Sequence, residues 1–304
     1  MATPHHPDAE KSAPGAPQRR AYEGGGTRAV ALVTGAARRI GRVIALELAQ
    51  AGFDIALHHR GSDASALAEA EATAAELRAA GARVHLFAAD FADPSATAAL
   101  LPAIAQAFGR VDAVVNSASR FEYDSPATFD AALLESLVRS NVAAPVALAQ
   151  ALATQVSAQA GHARVTPCVV NLLDQKLHNP NPDYFSYTLT KAALAHATVL
   201  LAQALAPAVR VCGVSPGITL VSGPMDEAEF AKAHRLTALG RSSTPEDIAR
   251  AVRFLVESPA ITGVDLAVDG GQHLVGQPRD VLFLARGNGA PSLFPSPPPE
   301  GQPG

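Results

Sequence analysis

The stretch Val33-Thr34-Gly35-Ala36-Ala37-Arg38-Arg39-Ile40-Gly41 ends a β-rich apolar run, turns through glycine and opens a helical pattern. A turn of this kind leaves the first backbone N–H groups of the helix unpaired and aimed at one spot, where they and the helix dipole favour a pyrophosphate. Many strand-to-helix connections use glycine for steric reasons alone, so the turn by itself leaves dinucleotide binding and simple chain reversal equally open. Its surroundings decide between them.

Short β-rich runs at residues 29–34, 54–59, 83–88, 113–116, 165–173, 209–214 and 265–268 alternate with helical patterns at 40–51, 64–80, 95–108, 129–159, 184–205 and 245–256. This alternation predicts an α/β fold: a doubly wound, seven-stranded parallel sheet with helices on both faces. One domain over residues 28–275 accounts for it. Residues 1–27, rich in Pro, Gly, His and charge without an apolar core, read as a disordered N-terminal arm. Residues 276–304 read as a Pro/Gly-rich tail unable to pack a core of its own. No apolar stretch looks long enough and free enough of Pro, Gly and charge to span a bilayer, so a soluble, cytoplasmic protein is expected. The net charge of -4 with no Lys/Arg block gives nucleic acid little to hold. Cys168 and Cys212 lie in apolar runs without metal-type spacing; they suggest buried thiols in a reducing compartment, and no metal is expected.

At the end of the second run the chain reads Leu57-His58-His59-Arg60-Gly61-Ser62, with no carboxylate to meet a ribose 2′-hydroxyl. Arg60 can instead fork onto a 2′-phosphate, helped by Ser62, His59 and, from the glycine turn, Arg38, which favours NADPH over NADH. His58 and His59 read equally as ordinary strand-end residues. Asp90, after the third run, suits an adenine amino group or an exposed loop.

Thr34-Gly35-x-x-x-x-Ile40-Gly41, Asp90, Asn116-Ser117-Ala118-Ser119, Asn141, Tyr187-x-x-x-Lys191, Ser215-Pro216-Gly217 and Val268-Asp269-Gly270-Gly271 follow one another in an order that resembles the short-chain dehydrogenase/reductase family. The resemblance covers roughly residues 28–274 and implies a single-domain Rossmann fold. It further implies cofactor contacts at Gly35, Ile40, Gly41, Asn116, Ser117, Ala118, Pro216 and Gly217, and a homotetramer assembled through the helices that carry Asn141 and Tyr187. Within the family the chain is most similar to the pteridine reductases and the related dihydromonapterin or alternative dihydrofolate reductases. The residues behind that are Arg39 in place of the usual middle glycine, His59-Arg60-x-Ser62, Ser119-x-Phe121 and Asp174.

Chemistry can be argued beside the resemblance. Residues four apart share a helix face, so Lys191 is expected to hold its ammonium near the Tyr187 phenol, lower its pKa and make Tyr187 the proton donor. Lys191 would also bond the nicotinamide ribose. Asn141, interrupting its helix, would anchor a water that passes protons to the lysine. An isolated Tyr-x-x-x-Lys pair is usually just a solvated helix face; the neighbouring motifs are what raise it to a site.

Asp174 stands thirteen residues before Tyr187, where a simple carbonyl reductase of this family carries serine. An ionised carboxylate there opposes an incoming alkoxide by roughly 4 kcal/mol for unit charges about 4 Å apart at an effective dielectric near 20. A C=N bond in a nitrogen heterocycle needs a proton on nitrogen and carries N–H donors, so it can use the same carboxylate. A protonated Asp174 would instead donate as serine does. Phe121 is expected to form one wall of a slot for a flat ring, with Ser119 at the ring edge and Arg39 reaching both phosphate and ring. The stretch 218–241, with a short helix near 226–234, reads as a mobile lid whose Leu220, Val221 and Met225 approach the substrate; Tyr184 suits either pocket or lid packing. The reading is an NADPH-dependent reductase of a dihydropterin or related pteridine. A general carbonyl or 3-oxoacyl-thioester reductase and a non-catalytic NADPH-sensing module are the alternatives.

Overall fold

The computed structural model describes residues 28–61, 63–158, 166–222 and 225–287. The N-terminal arm, Ser62, the start of the fifth expected strand, the end of the 129–159 helix and residues 288–304 lie outside these. Seven strands form one sheet: β1 (Val30–Val33), β2 (Asp54–His59), β3 (Val84–Ala88), β4 (Ala113–Asn116), β5 (Cys168–Leu172), β6 (Arg210–Pro216) and β7 (Asp265–Val268). The order is β3-β2-β1-β4-β5-β6-β7 and every pairing is parallel. The expected doubly wound α/β fold is therefore the one observed.

The period of two along each strand sends neighbouring side chains into two cores. Ala31 and Val33 join Ile44, Leu48, Leu77 and Val252 on the face covered by α1 (Arg39–Gln50), α2 (Ala64–Ala79) and α8 (Pro245–Glu257). Val30 and Leu32 join Ile104, Leu148 and Leu152 on the other, under α3 (Pro94–Phe108), α5 (Ala144–Ala158) and α6 (Phe185–Leu205). Cys168 and Cys212 are buried free thiols on adjacent central strands, as expected. The chain runs outward from β1 through β2 to β3, then returns to place β4 on the other side of β1. The crevice at that reversal, above the C-terminal strand ends, is where such sheets hold ligands.

The helix expected over 129–159 carries the expected interruption at Asn141: α4 (Ala131–Val138) passes through a π-helical turn at Arg139–Ala143 into α5. Pro145 supplies the reason, since it lacks the N–H that would close an α-helical bond to the Asn141 carbonyl. By length and mean hydropathy alone the run Ala131–Ala158 could cross a membrane, but it carries Glu135, Arg139 and Pro145, and its buried Leu148, Ala149 and Leu152 pack into the sheet core.

One expectation, that of the tail, needs correction. Residues 277–287 fold back onto the domain, with Val281, Leu282 and Phe283 buried in α9 (Val281–Ala285). They pack against Met225 and α7 (Glu227–Ala233), the helix expected within the lid, which begins with an Asp226/Glu229 capping box. The proline-rich residues further on obscured a short apolar helix that packs against Met225 and α7 rather than forming a core by itself. The ordered domain therefore continues past residue 275.

Candidate active site

A cleft of about 750 Å³ runs from the glycine turn to the start of α6. At one end the turn after β1 is built for close approach: Gly35 has φ +63° in the left-handed region, and a Cβ there would meet Ala118 at 3.1 Å. A Cβ on Gly41 would lie 2.3 Å from the Gly35 carbonyl oxygen, so only glycine lets α1 begin against the turn. Two residues that were not expected to have a site role hold this turn. Thr34 Oγ1 accepts from the N–H groups of Ser117 and Ala118 at 3.0 and 2.9 Å, tying the β1 turn to the β4 turn. His58 Nδ1 accepts from the Gly35 N–H at 3.1 Å, while its Nε2 lies 3.0 Å from the Ala89 carbonyl oxygen. These bonds fix the neutral tautomer with the proton on Nε2, and burial lowers the His58 pKa to about 4. The ring stacks on Phe91 with centroids 4.4 Å apart. A buried histidine followed by an Asp-Phe pair one strand away was the only sequence signal, and it needs the β2–β3 register to become visible.

Around this end lie Arg38, Arg39, Ile40, His59, Arg60, Asp90, Ser117, Pro216 and Gly217, all lining the cleft. Arg60 is exposed and makes no ion pair among the described residues, and the buried Nδ1 of His59 has no hydrogen-bond partner among them. Burial lowers the His59 pKa. Arg38 lies 3.8 Å from Glu69. Ser62 lies outside the described residues. Asp90 accepts from the Ala92 N–H at 2.9 Å and is exposed to solvent. Asn116 departs from expectation: it is buried beneath the cleft, donating to Asn171 Oδ1 at 2.8 Å, because the last residue of β4 points into the sheet interior.

Arg39 adopts φ +55°, a conformation that disfavours any Cβ, and so marks why glycine is usual there. Its Nη1 donates across the cleft to the Val221 carbonyl at 3.0 Å. Burial and then Arg38 lower its pKa.

At the other end Asp174, Tyr187 and Lys191 meet. Tyr187 OH donates to Asp174 Oδ2 at 2.9 Å, and Asp174 Oδ1 accepts the Lys176 N–H at 2.9 Å as the cap of a 3-10 turn. Lys191 Nζ donates to the Leu172 carbonyl at 2.7 Å and lies 5.5 Å from the Tyr187 ring centroid. The expected lowering of the Tyr187 pKa is reversed. Burial, followed by the Asp174 carboxylate, pushes the phenol well above its usual range, because its oxygen faces Asp174 rather than the ammonium. Burial also raises Asp174, against the pull of Lys176, Tyr187 and Lys191, and lowers Lys191 to about 8. Both Asp174 oxygens accept hydrogen bonds, an arrangement that suits the ionised carboxylate.

Phe121 stacks on Tyr184 at 4.2 Å and meets Tyr187 edge-on at 4.7 Å, while remaining 41% exposed toward the cleft beside Ser119. Asn141 acts on this wall through its side chain. Its Oδ1 accepts the Arg120 N–H at 2.8 Å and its Nδ2 donates to the Arg120 carbonyl at 3.0 Å and to Thr190 at 3.1 Å. The carboxamide thus pins the loop before Phe121, while Pro145 leaves the Asn141 backbone carbonyl without its α-helical donor. Tyr184 is buried at φ +53°, its phenol pKa raised by burial and then by Asp280. Leu220 and Met225, from the stretch 218–241, line the cleft.

A glycine-turn crevice at the sheet reversal leading to a Tyr–Lys–Asp cluster defines an oxidoreductase that works with a pyridine dinucleotide. The chain belongs to the short-chain dehydrogenase/reductase family: residues 35–273 match the family model described as enoyl-(acyl carrier protein) reductase. It is 33% identical to pteridine reductase 1 of Leishmania tarentolae over 282 residues, covering 82% of this chain and 97% of that one. The structure resembles alternative dihydrofolate reductase 1 of Brucella suis in complex with NADP, with a TM-score of 0.74 and 36% identity over 81% of this chain and 95% of that one. A 3-oxoacyl-[acyl-carrier-protein] reductase of Staphylococcus aureus is 31% identical over 250 residues, 80% of this chain and 98% of that one.

Proposed function

We propose that the protein is an NADPH-dependent reductase of a dihydropterin or related pteridine. The observation that carries this reading is the 2.9 Å hydrogen bond from Tyr187 OH to Asp174 Oδ2 inside the cleft. The residues at the turn fit the dinucleotide: glycine approach at Gly35 and Gly41, an exposed Arg60 with no ion pair among the described residues for a 2′-phosphate, and the buried Nδ1 of His59, which has no hydrogen-bond partner among them. When bound, NADPH supplies the hydride that adds to a ring carbon.

The chain's own residues do the rest. Phe121 offers its exposed face to a flat ring, and Ser119 its hydroxyl to the edge. Asp174 and Tyr187 hold one proton between them, kept from solvent by burial. As hydride reaches carbon, the adjacent ring nitrogen gains basicity and takes that proton from Tyr187 OH. Lys191, with a pKa of about 8, then returns a proton to Tyr187 and is itself reprotonated from solvent, so that the cluster regains its starting charge. A ketone gains less from the same site, since a growing alkoxide faces the Asp174 charge. The reading also draws support from the pteridine reductase and alternative dihydrofolate reductase relatives. The 3-oxoacyl reductase relative favours a second reading, reduction of an acyl-thioester ketone.

Steady-state NADPH oxidation separates them. Asp174→Ser is expected to depress turnover of dihydrobiopterin and dihydromonapterin on the order of a hundredfold, within the usual range for removing a proton-transfer partner, and to spare or raise turnover of small ketones. The opposite pattern rejects the pteridine assignment.

A further inference from the structure

Residues 277–287 take no part in the roles assigned above, yet they wall the substrate half of the cleft. Asp280, Val281 and Leu282 face the same space as Tyr184, Tyr187 and Met225. This wall is fixed from both sides. Arg279 Nε and Nη2 donate to the buried Asp183 at 2.8 and 2.9 Å, and the Asp280 N–H reaches the same carboxylate at 2.8 Å. Further along, Arg286 pairs with Glu229 of α7 at 2.6 and 3.1 Å.

Asp280 is tethered but not saturated. Its Oδ2 accepts from Lys176 Nζ at 3.2 Å and its Oδ1 from the Leu282 N–H at 3.1 Å. A carboxylate offers about four acceptor sites, so capacity remains, and the Asp280 side chain is 21% exposed. Lys176 is the reverse case. Its side chain is 5% exposed, and its amine also donates to the Asp183 carbonyl at 2.6 Å, so it serves as a buried counter-charge rather than a ligand donor. What this wall presents to a substrate is an acceptor oxygen beside the apolar Val281 and Leu282.

We propose that Asp280 is a specificity-determining residue: its carboxylate accepts hydrogen bonds from hydroxyl groups on the substrate's side chain and disfavours a side chain that ends in a carboxylate. The inference rests on the pteridine reading and narrows it to pteridines with a short, neutral hydroxyalkyl chain, over those extended by aminobenzoyl-glutamate. Like charges in a half-buried cleft repel, and Lys176 offsets part of the repulsion, so the expected selectivity is on the order of tenfold.

The test compares kcat/KM for dihydrobiopterin and dihydrofolate in the full-length wild type, in Asp280→Asn, and in a double variant carrying Asp280→Asn with Lys176→Gln. The double variant removes both charges together, so that no buried amine is left unpaired. A wild-type preference for dihydrobiopterin is expected. Both variants should lose roughly tenfold in that preference, through a raised KM for dihydrobiopterin and a lowered KM for dihydrofolate. A pterin-active wild type whose preference survives both changes, or variants in which both substrates fall in parallel, overturns the role of Asp280 alone. A wild type inactive on both pteridines but active on ketones overturns the functional reading and this inference together.

Discussion

Replacing His58 by phenylalanine isolates what this buried imidazole contributes to cofactor binding. The ring would keep its stack on Phe91, at 4.4 Å between centroids, while losing the 3.1 Å bond from the Gly35 N–H and the 3.0 Å contact with the Ala89 carbonyl. Each hydrogen bond contributes about 1 kcal/mol net, so the turn is held less firmly by about 2 kcal/mol. If that ordering must be restored when NADPH binds, the dissociation constant rises by up to ~30-fold. Fluorescence titration with NADPH measures this directly, and steady-state kinetics should place the effect on KM for NADPH rather than on kcat. A second arm uses pH. His58 is neutral when folded, with a pKa of about 4 against an ordinary value of 6.5. A base whose folded pKa is depressed contributes stability that is present above 6.5 and lost as pH falls through the folded value. The difference amounts to about 3 kcal/mol and should vanish from the acid limb in the phenylalanine variant. An unchanged NADPH dissociation constant, with only the melting temperature reduced, would refute the reasoning and leave His58 as a core residue.

Other consequences can be checked separately. The Lys191 pKa of about 8 places its charged form below that pH, so kcat/KM should fall as pH rises through about 8, with a one-proton slope. A flat profile to pH 9.5 would contradict the assigned role of Lys191. Arg60→Glu places a carboxylate where a 2′-phosphate is expected, and should shift preference from NADPH toward NADH by at least about tenfold in kcat/KM; equal losses with both cofactors would count against that placement. Arg279→Met leaves Asp183, which is fully buried, without its guanidinium. This should cost about 3–5 kcal/mol in urea denaturation if the closing segment unfolds with the domain. A loss below about 1 kcal/mol would mean that residues 277–287 open independently.

The class of fold was legible because its signals are local. The glycine turn, the alternation of β-rich and alanine-rich runs, and the Tyr187–Lys191 helix spacing each depend on a few neighbouring residues. Asp174 was legible in the same way, as a carboxylate at a fixed distance before the tyrosine. The pairing of Asp174 with Tyr187 at 2.9 Å, and the consequent rise rather than fall in the phenol's pKa, depended on which way two side chains point once buried. Sequence spacing placed Lys191 beside Tyr187; packing directed its ammonium to the Leu172 carbonyl instead.

What the sequence by itself determined is the parallel α/β architecture and the set of groups gathered at its carboxyl edge, since both follow from periodicity and from residues close along the chain. Only the tertiary structure decided which groups act together. His58 meets Gly35 through strand register, Asn141 pins Arg120 through a π-helical turn, and Asp280 enters the cleft from a segment that composition had marked as tail. Contacts between residues 23, 21 and 104 positions apart, as for His58 with Gly35, Asn141 with Arg120 and Asp280 with Lys176, leave no periodic trace in a single sequence. They arise when burial of two apolar faces brings distant chain segments together and each enclosed polar group must find a partner.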